Sequence, residues 1–146
     1  MNSCLVCNEI PKRSFYKYCS NKCQQTHQYR QYIKNWKQGL VHGGRGIVAK
    51  NISSYLRRYL IEKYGEKCFL CNWDQKHPVT GRIPLEVDHI NGNADDHSEE
   101  NLRLICPNCH SLSPNFRNLN KGRGRSWRML KYLKAKNDIV FAGVRK

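Results

Sequence analysis

The chain is short of acid. Its 146 residues include 11 Asp or Glu against 26 Lys or Arg, a formal net charge of +15. An excess of this size points to a polyanionic partner, and nucleic acid is the usual one; a merely soluble basic protein is the bland alternative. The chain also lacks a long apolar run. Nothing approaches the ~20 residues that a membrane-spanning helix needs. The opening stretch, Met1 to Glu9, is polar, carries two cysteines and has no apolar core, so it does not read as a signal peptide. The expected setting is intracellular, where thiols stay reduced. The length suggests one domain or two small modules. Modules that small bury little surface and are often stapled by metals.

What is abundant is cysteine, eight in all, and none is left over. Cys4 and Cys7 form one C-x-x-C pair, with Cys19 and Cys23 as its partners. Cys68 and Cys71 form a second, with Cys106 and Cys109. In a reducing compartment such pairs more often hold zinc than form disulfides. Two structural Cys4–zinc sites are therefore expected, and four thiolates leave no open position for a reacting water. Each site carries about −2, which would lower the net charge to roughly +11. His27, four residues beyond Cys23, is an alternative ligand in the first quartet. A redox pair would need a strand–CxxC–helix setting that is missing.

Between the quartets the patterning is simple. Gln24 to Gln38 is predicted helical, with Ser20 a candidate N-cap and Gly39 a stop. Tyr29, Tyr32, Ile33 and Trp36 recur at helical spacing and form the packing face. Arg30, Lys34 and Lys37 are candidate phosphate contacts. Gly39 to Lys50 reads as a Gly-rich linker whose Arg45 could follow a DNA groove. A second helix, capped by Ser53 or Ser54, is predicted to reach Tyr64 and end at Gly65. Its apolar stripe is Ile52, Leu56, Leu60 and Tyr64; Arg57, Arg58 and Lys63 fall off it as a solvated or DNA-facing side. Trp73 to Arg82 is a loop, in which His77 reads as exposed.

The organising stretch runs from Glu86 to His110. Ile83 to Ile90 reads as a strand that Asn91-Gly92-Asn93 ends. The acidic run Asp95 to Glu100 most simply caps a turn. Leu102 to Ile105 is the returning strand, and Pro107 suits the first turn of a helix after Cys106. Pro114 interrupts or restarts that helix. Beyond it lie Lys121, Arg123, Arg125 and Arg128, cations with interleaved glycines that suit a phosphate strand, and a short helix from Trp127 to Lys136.

Hydrolysis of a phosphodiester needs an activated water, a cation on the phosphoryl oxygen and leaving group, and placement. Asp88 and His110 offer one hard oxygen and one imidazole nitrogen, few enough to leave room for water and phosphate. His89 is then free as a general base. Asn101 cannot move a proton, but its amide can hold His89 or the loop.

The combination D-H-I-N-G-N, then E-N-L-R-L-I-C-P-N-C-H, with an outer C-x-x-C at Cys68 and Cys71, resembles the HNH endonuclease family and its ββα-metal motif. It looks most like small free-standing phage and bacterial enzymes in which a zinc quartet braces the hairpin. The resemblance spans roughly residues 55–125 and implies a small, zinc-stabilised α+β, treble-clef-like nuclease module. It implies that His89 activates water, Asp88 and His110 hold a catalytic divalent ion, and Asn101 orients the base. The implied products are a 5′-phosphate and a 3′-hydroxyl. Some relatives carry another histidine one turn after the last motif histidine. Here that position is Pro114, which favours one Mg²⁺ or Mn²⁺ over catalytic zinc.

The expected organisation is thus a zinc module with a basic aromatic helix at 1–38, a linker at 39–50, the nuclease domain at 51–125 and a basic helix or tail at 126–146. The expected function is a metal-dependent DNA endonuclease, in the host cytoplasm if phage-encoded. A non-catalytic, zinc-dependent nucleic-acid-binding regulator is the alternative. Monomer and homodimer are both compatible with the sequence.

Overall fold

The computed structural model describes residues 3–45 and 51–120, together with Leu130 and Lys134. Lys121, Arg123, Arg125 and Arg128, and nearly all of the helix expected from Trp127 to Lys136, lie outside the described residues. The architecture is small α+β, in two compact units, Met1–His42 and Gly43–Lys146. No described helix is long and apolar enough to cross a membrane.

The first unit is a cysteine knuckle followed by helix α1, Asn21–Lys37. Ser20 caps it by accepting from Cys23 N at 3.3 Å, which starts the helix three residues earlier than the sequence pattern suggests. Tyr29 and Trp36 are buried, as expected of a packing face, while Arg30, Lys34 and Lys37 are exposed. Gln38 closes the helix and Gly39 follows with φ +72°, a left-handed value that suits a residue without Cβ.

The second unit opens on two short antiparallel strands, β1 (Gly44–Arg45), inside the stretch read as a linker, and β2 (Asn51–Ile52), just beyond it. Helix α2, Ser54–Tyr64, follows. Ser53 caps it through Tyr55 N at 3.2 Å, and Gly65 ends it with φ +84°. Leu56 and Leu60 of its apolar stripe are fully buried, and α2 packs on strand β4, Leu102–Ile105. Leu104 and Ile105 complete that core.

Of the α2 cations, Arg58 and Lys63 are exposed, as expected, and Arg57 is half-buried. Arg57 Nη1 donates to Leu85 O at 2.6 Å, Arg58 pairs with Glu62 at 2.8 Å, and Lys63 pairs with Glu99. Two of these contacts are tertiary: the hairpin arm and the acidic turn before β4 meet the helix, so Arg57 and Lys63 become ties, while the Arg58–Glu62 pair lies within the helix. Glu99 also accepts from Tyr59 Oη at 2.5 Å.

Strand β3, Glu86–His89, pairs antiparallel with β4. It is shorter than the alternation from Ile83 suggests. Pro84 has no N–H to give a ladder, and Leu85 N turns back to Ile83 O at 2.8 Å. Ile83 and Leu85 are buried all the same. Helix α3, Pro107–Ser111, follows β4 directly, with Cys106 as N-cap and Pro107 in its first turn. It stops before Pro114.

Candidate functional site

The register of the β3–β4 hairpin sets the site. Glu86 faces Ile105, Asp88 faces Arg103 and His89 faces Leu102. Alternation along β3 sends Glu86 and Asp88 to one side of the ribbon. Asp88 is buried, and its Oδ2 accepts from Arg103 Nε at 2.8 Å. A nearly dry carboxylate needs such a partner. His110, on α3, meets Glu86: its Nδ1 contacts Glu86 Oε2. With Nδ1 so engaged, the other ring nitrogen, Nε2, remains as the ligand or donor atom of His110. The ring of Phe116 stands edge-on to it, centroids 5.3 Å apart.

His89 closes β3. Its ring lies against that of the buried His97, with centroids 5.2 Å apart and a 35° tilt. Between them, Asn101 holds the connecting loop. It is buried; its Oδ1 accepts from Asn91 N at 2.9 Å and its Nδ2 donates to Asp96 O at 2.8 Å. Of the two roles its amide could play, these bonds serve the loop. Asp96 accepts from Ser98 Oγ at 2.7 Å, from Ser98 N at 3.1 Å and from Asn91 Nδ2 at 2.7 Å. The Ser98 hydroxyl bond, first among these, holds the Asp96 carboxyl below its ordinary value. Asp96 of the acidic run therefore caps the loop, as the sequence suggested, while Glu99 serves α2.

The loop is clamped from beyond the helix as well. Asn115 Nδ2 donates to Ile90 O at 3.2 Å and Asn120 Nδ2 to Gly92 O at 2.8 Å. Gly92 has φ +74°, and a Cβ there would stand 2.6 Å from Asn115 Cγ and 2.7 Å from Asn120 Oδ1. Gly92→Ala is expected to push both asparagines off their carbonyls and to strain the backbone, at about 1–3 kcal/mol. A urea titration checks it: the midpoint should fall, and a midpoint equal to wild type would show that the clamp adjusts.

The cysteines gather as two quartets. In each, the four sulfur atoms lie within 4.8 Å of one another, and among the described residues no other group of three or more His, Cys, Asp or Glu does this. In the first, Cys7–Cys19, Cys19–Cys23 and Cys23–Cys7 are 3.4, 3.5 and 3.7 Å apart; in the second, Cys71–Cys106 is 3.8 Å. These are too long for disulfides and close to the ~3.8 Å edge of a tetrahedron with ~2.3 Å metal–sulfur bonds. Each quartet can therefore hold a metal ion.

The pKa values tell the same story. Backbone N–H groups, that of Cys7 foremost, lower Cys4 to about 6. At Cys68 burial pulls upward but is outweighed by the N–H groups of Cys106, Cys71 and Leu70, and the result is again about 6. Cys19 is pushed up to about 12 by the sulfurs of Cys7 and Cys23, and Cys109 to about 12 by those of Cys71 and Cys106. Four thiolates in one place repel each other, and a divalent cation relieves that repulsion. His27 is no ligand here: it pairs with Tyr18 Oη through Nδ1 at 3.1 Å, and the first quartet is all cysteine. His77 is exposed as expected, yet its ring accepts from Val79 N and Thr80 N, both at 3.2 Å.

Of the four residues singled out for chemistry, Asp88 and His89 end β3, Asn101 anchors the loop, and His110 meets β3 through Glu86. Three neighbours were missed: Arg103, Glu86 and His97. The first was readable, because placing Leu102 and Leu104 inward turns Arg103 to the other face. The pairing of Glu86 with His110 had no signal in the pattern, since their separation of 24 residues is bridged by α3.

A hairpin and short helix clasped by a cysteine quartet, with Asp-His at the first strand's end, define a class. Residues 68–115 match the family model of the HNH endonucleases. The chain is also 36% identical, over 100 residues, to the H-N-H endonuclease F-TflIV of Escherichia phage T5; the match covers 64% of this chain and 40% of that relative's length. No solved structure gives a significant match.

Proposed function

We propose that the protein is a metal-dependent DNA endonuclease of the HNH type, acting through the ββα-metal arrangement of β3, β4 and α3. The observation that carries this reading is the HNH match over the segment that contains Asp88, His89, Asn101 and His110. Asp88 and His110 would hold one Mg²⁺ or Mn²⁺. The donor set fits. Arg103 takes one oxygen of Asp88 and leaves the other for a hard cation, and Glu86 on Nδ1 leaves Nε2 of His110. When bound, that ion would polarise a phosphoryl oxygen and steady the leaving oxygen.

His89 takes a proton from the attacking water as general base. Asn101 moves no proton; it fixes the loop that follows His89. Attack inverts phosphorus and breaks its bond to the 3′ oxygen, which takes a proton from solvent, leaving a 5′-phosphate and a 3′-hydroxyl. Each cysteine quartet holds a structural zinc, one bracing the nuclease domain at 51–125 and one the module at 1–38. Residues 39–50 connect the two in sequence, and 126–146 are rich in Lys and Arg. Arg30, Lys34, Lys37 and Arg45, with Lys121, Arg123, Arg125 and Arg128, supply phosphate contacts. The reduced cysteines suit an intracellular setting, the host cytoplasm if the gene is a phage's.

Supercoiled plasmid with Mg²⁺ tests this. Nicked circles that DNA ligase reseals without prior kinase treatment are expected, because resealing requires a 5′-phosphate and a 3′-hydroxyl. Salt-sensitive retention of the plasmid with no nicking in Mg²⁺ or Mn²⁺ would instead make the protein a binding module.

A further inference from the structure

The first unit carries a feature that the nuclease chemistry does not use. Between its two cysteine pairs the chain makes a tight turn, with Tyr16 N donating to Arg13 O at 3.0 Å. The turn presents Phe15 and Tyr16 to solvent, 69% and 43% exposed. Their rings meet edge to face, centroids 4.8 Å apart at 76°. Two large aromatics left in water side by side are unusual for a structural role, because burying each would gain about 1.5–3 kcal/mol. Arg13 reaches both: its Cζ lies 5.9 Å from the Phe15 centroid and 5.8 Å from that of Tyr16.

The same rings line a cleft of about 490 Å³ whose wall continues through Tyr18, Ser20, Asn21 and Gln24. That lies within the ~300–1,000 Å³ of clefts that take a drug-sized ligand, and a nucleotide is of that size. The charge around it has one sign. In residues 1–42 Glu9 is the sole acid, while Lys12, Arg13, Lys17 and Lys22 flank the turn and α1 adds more cations.

We propose that Phe15 and Tyr16 form a stacking platform for an unpaired base of a DNA strand, with Arg13 and Lys17 on the adjoining phosphates. Exposed ring faces bind any base, the cations track the backbone, and Ser20, Asn21 and Gln24 of the cleft wall offer polar groups to the sugar edge. The site belongs wholly to the first unit. It rests on the reading above only in taking DNA as the partner.

The experiment uses the full, metal-loaded chain and a 20-nucleotide DNA strand of mixed sequence carrying 2-aminopurine. Stacking on the platform should quench the probe. Phe15→Leu/Tyr16→Leu, which keeps an apolar surface but removes the rings, should weaken binding about 5- to 150-fold at one salt concentration, abolish the quench and leave the salt slope unchanged. Bound metal per chain, expected to equal wild type, controls for folding. Should that variant lose metal, photocrosslinking of wild-type protein to a 5-iodouracil strand decides: the crosslink should map to Phe15 or Tyr16.

Unchanged affinity and quench in the metal-loaded variant, or crosslinks that never fall in residues 13–18, would overturn the proposal. So would displacement of the DNA by lower concentrations of an RNA of the same sequence. Loss of nicking with the quench intact would sink the nuclease reading and leave this one standing.

Discussion

His89→Ala is expected to lower plasmid nicking by about 10²–10⁴-fold, the range by which a positioned general base accelerates proton transfer. The variant should still bind DNA, because binding draws on cations distributed over a chain of net charge +15 rather than on one ring. It should also still fold. His89 is only half-buried at the end of β3, whereas the hairpin core is Leu102, Leu104 and Ile105 on the other strand. The ring contact with His97 is lost, yet the loop keeps its Asn101 bonds to Asn91 and Asp96. Single-turnover nicking rates, with DNA retention and metal content measured on the same samples, check the result. Nicking at the wild-type rate would remove His89 from the chemistry.

Cys106→Ser is expected to unfold the second unit while the first keeps its metal. Cys106 does two things. It caps α3 by accepting from Cys109 N at 3.5 Å, and it supplies one sulfur of the second quartet. Serine is a good N-cap, so the capping function survives the change. What serine cannot supply is a thiolate. Structural zinc in small peptides binds with an apparent ~10–16 kcal/mol, as much as the ~5–15 kcal/mol that holds a whole domain together. Metal analysis should fall from two ions per chain to one, and cooperative unfolding of the nuclease unit should disappear. A stable variant retaining both ions would mean that three sulfurs suffice.

Acid acts in the same direction. Cys109 holds its proton up to about 12 when only its sulfur neighbours face it. Loading the quartet must therefore expel protons, and lowering the pH returns them and releases the ion. Metal release, followed with a chelating dye, should rise as pH falls.

Much of this was legible in the chain itself. The cysteine pairs announced both quartets, because ligand spacing is a local property and all eight sulfurs gather in two groups of four within 4.8 Å. The helices were readable from Ser20, Ser53, Gly39 and Gly65, since caps and stops act within a turn of the residues they govern. The stripe of Leu56 and Leu60 was readable for the same reason. Where the reading went astray, the cause was either a local break or a distant partner. Pro84 cut the first strand short, and Arg57 and Lys63 became ties to Leu85 and Glu99, 28 and 36 residues away.

The residue types, the metal-ligand spacing, the charge and the Asp-His-Asn-His set were therefore determined by the sequence alone, because each depends on identity and short-range order. Only the tertiary structure decided that Arg103 guards Asp88, that Glu86 meets His110, and that Asn115 and Asn120 clamp the loop at Gly92. Those contacts join residues 15 to 28 positions apart. Strand register and the return of a helix onto a hairpin, which no local pattern encodes, bring them together.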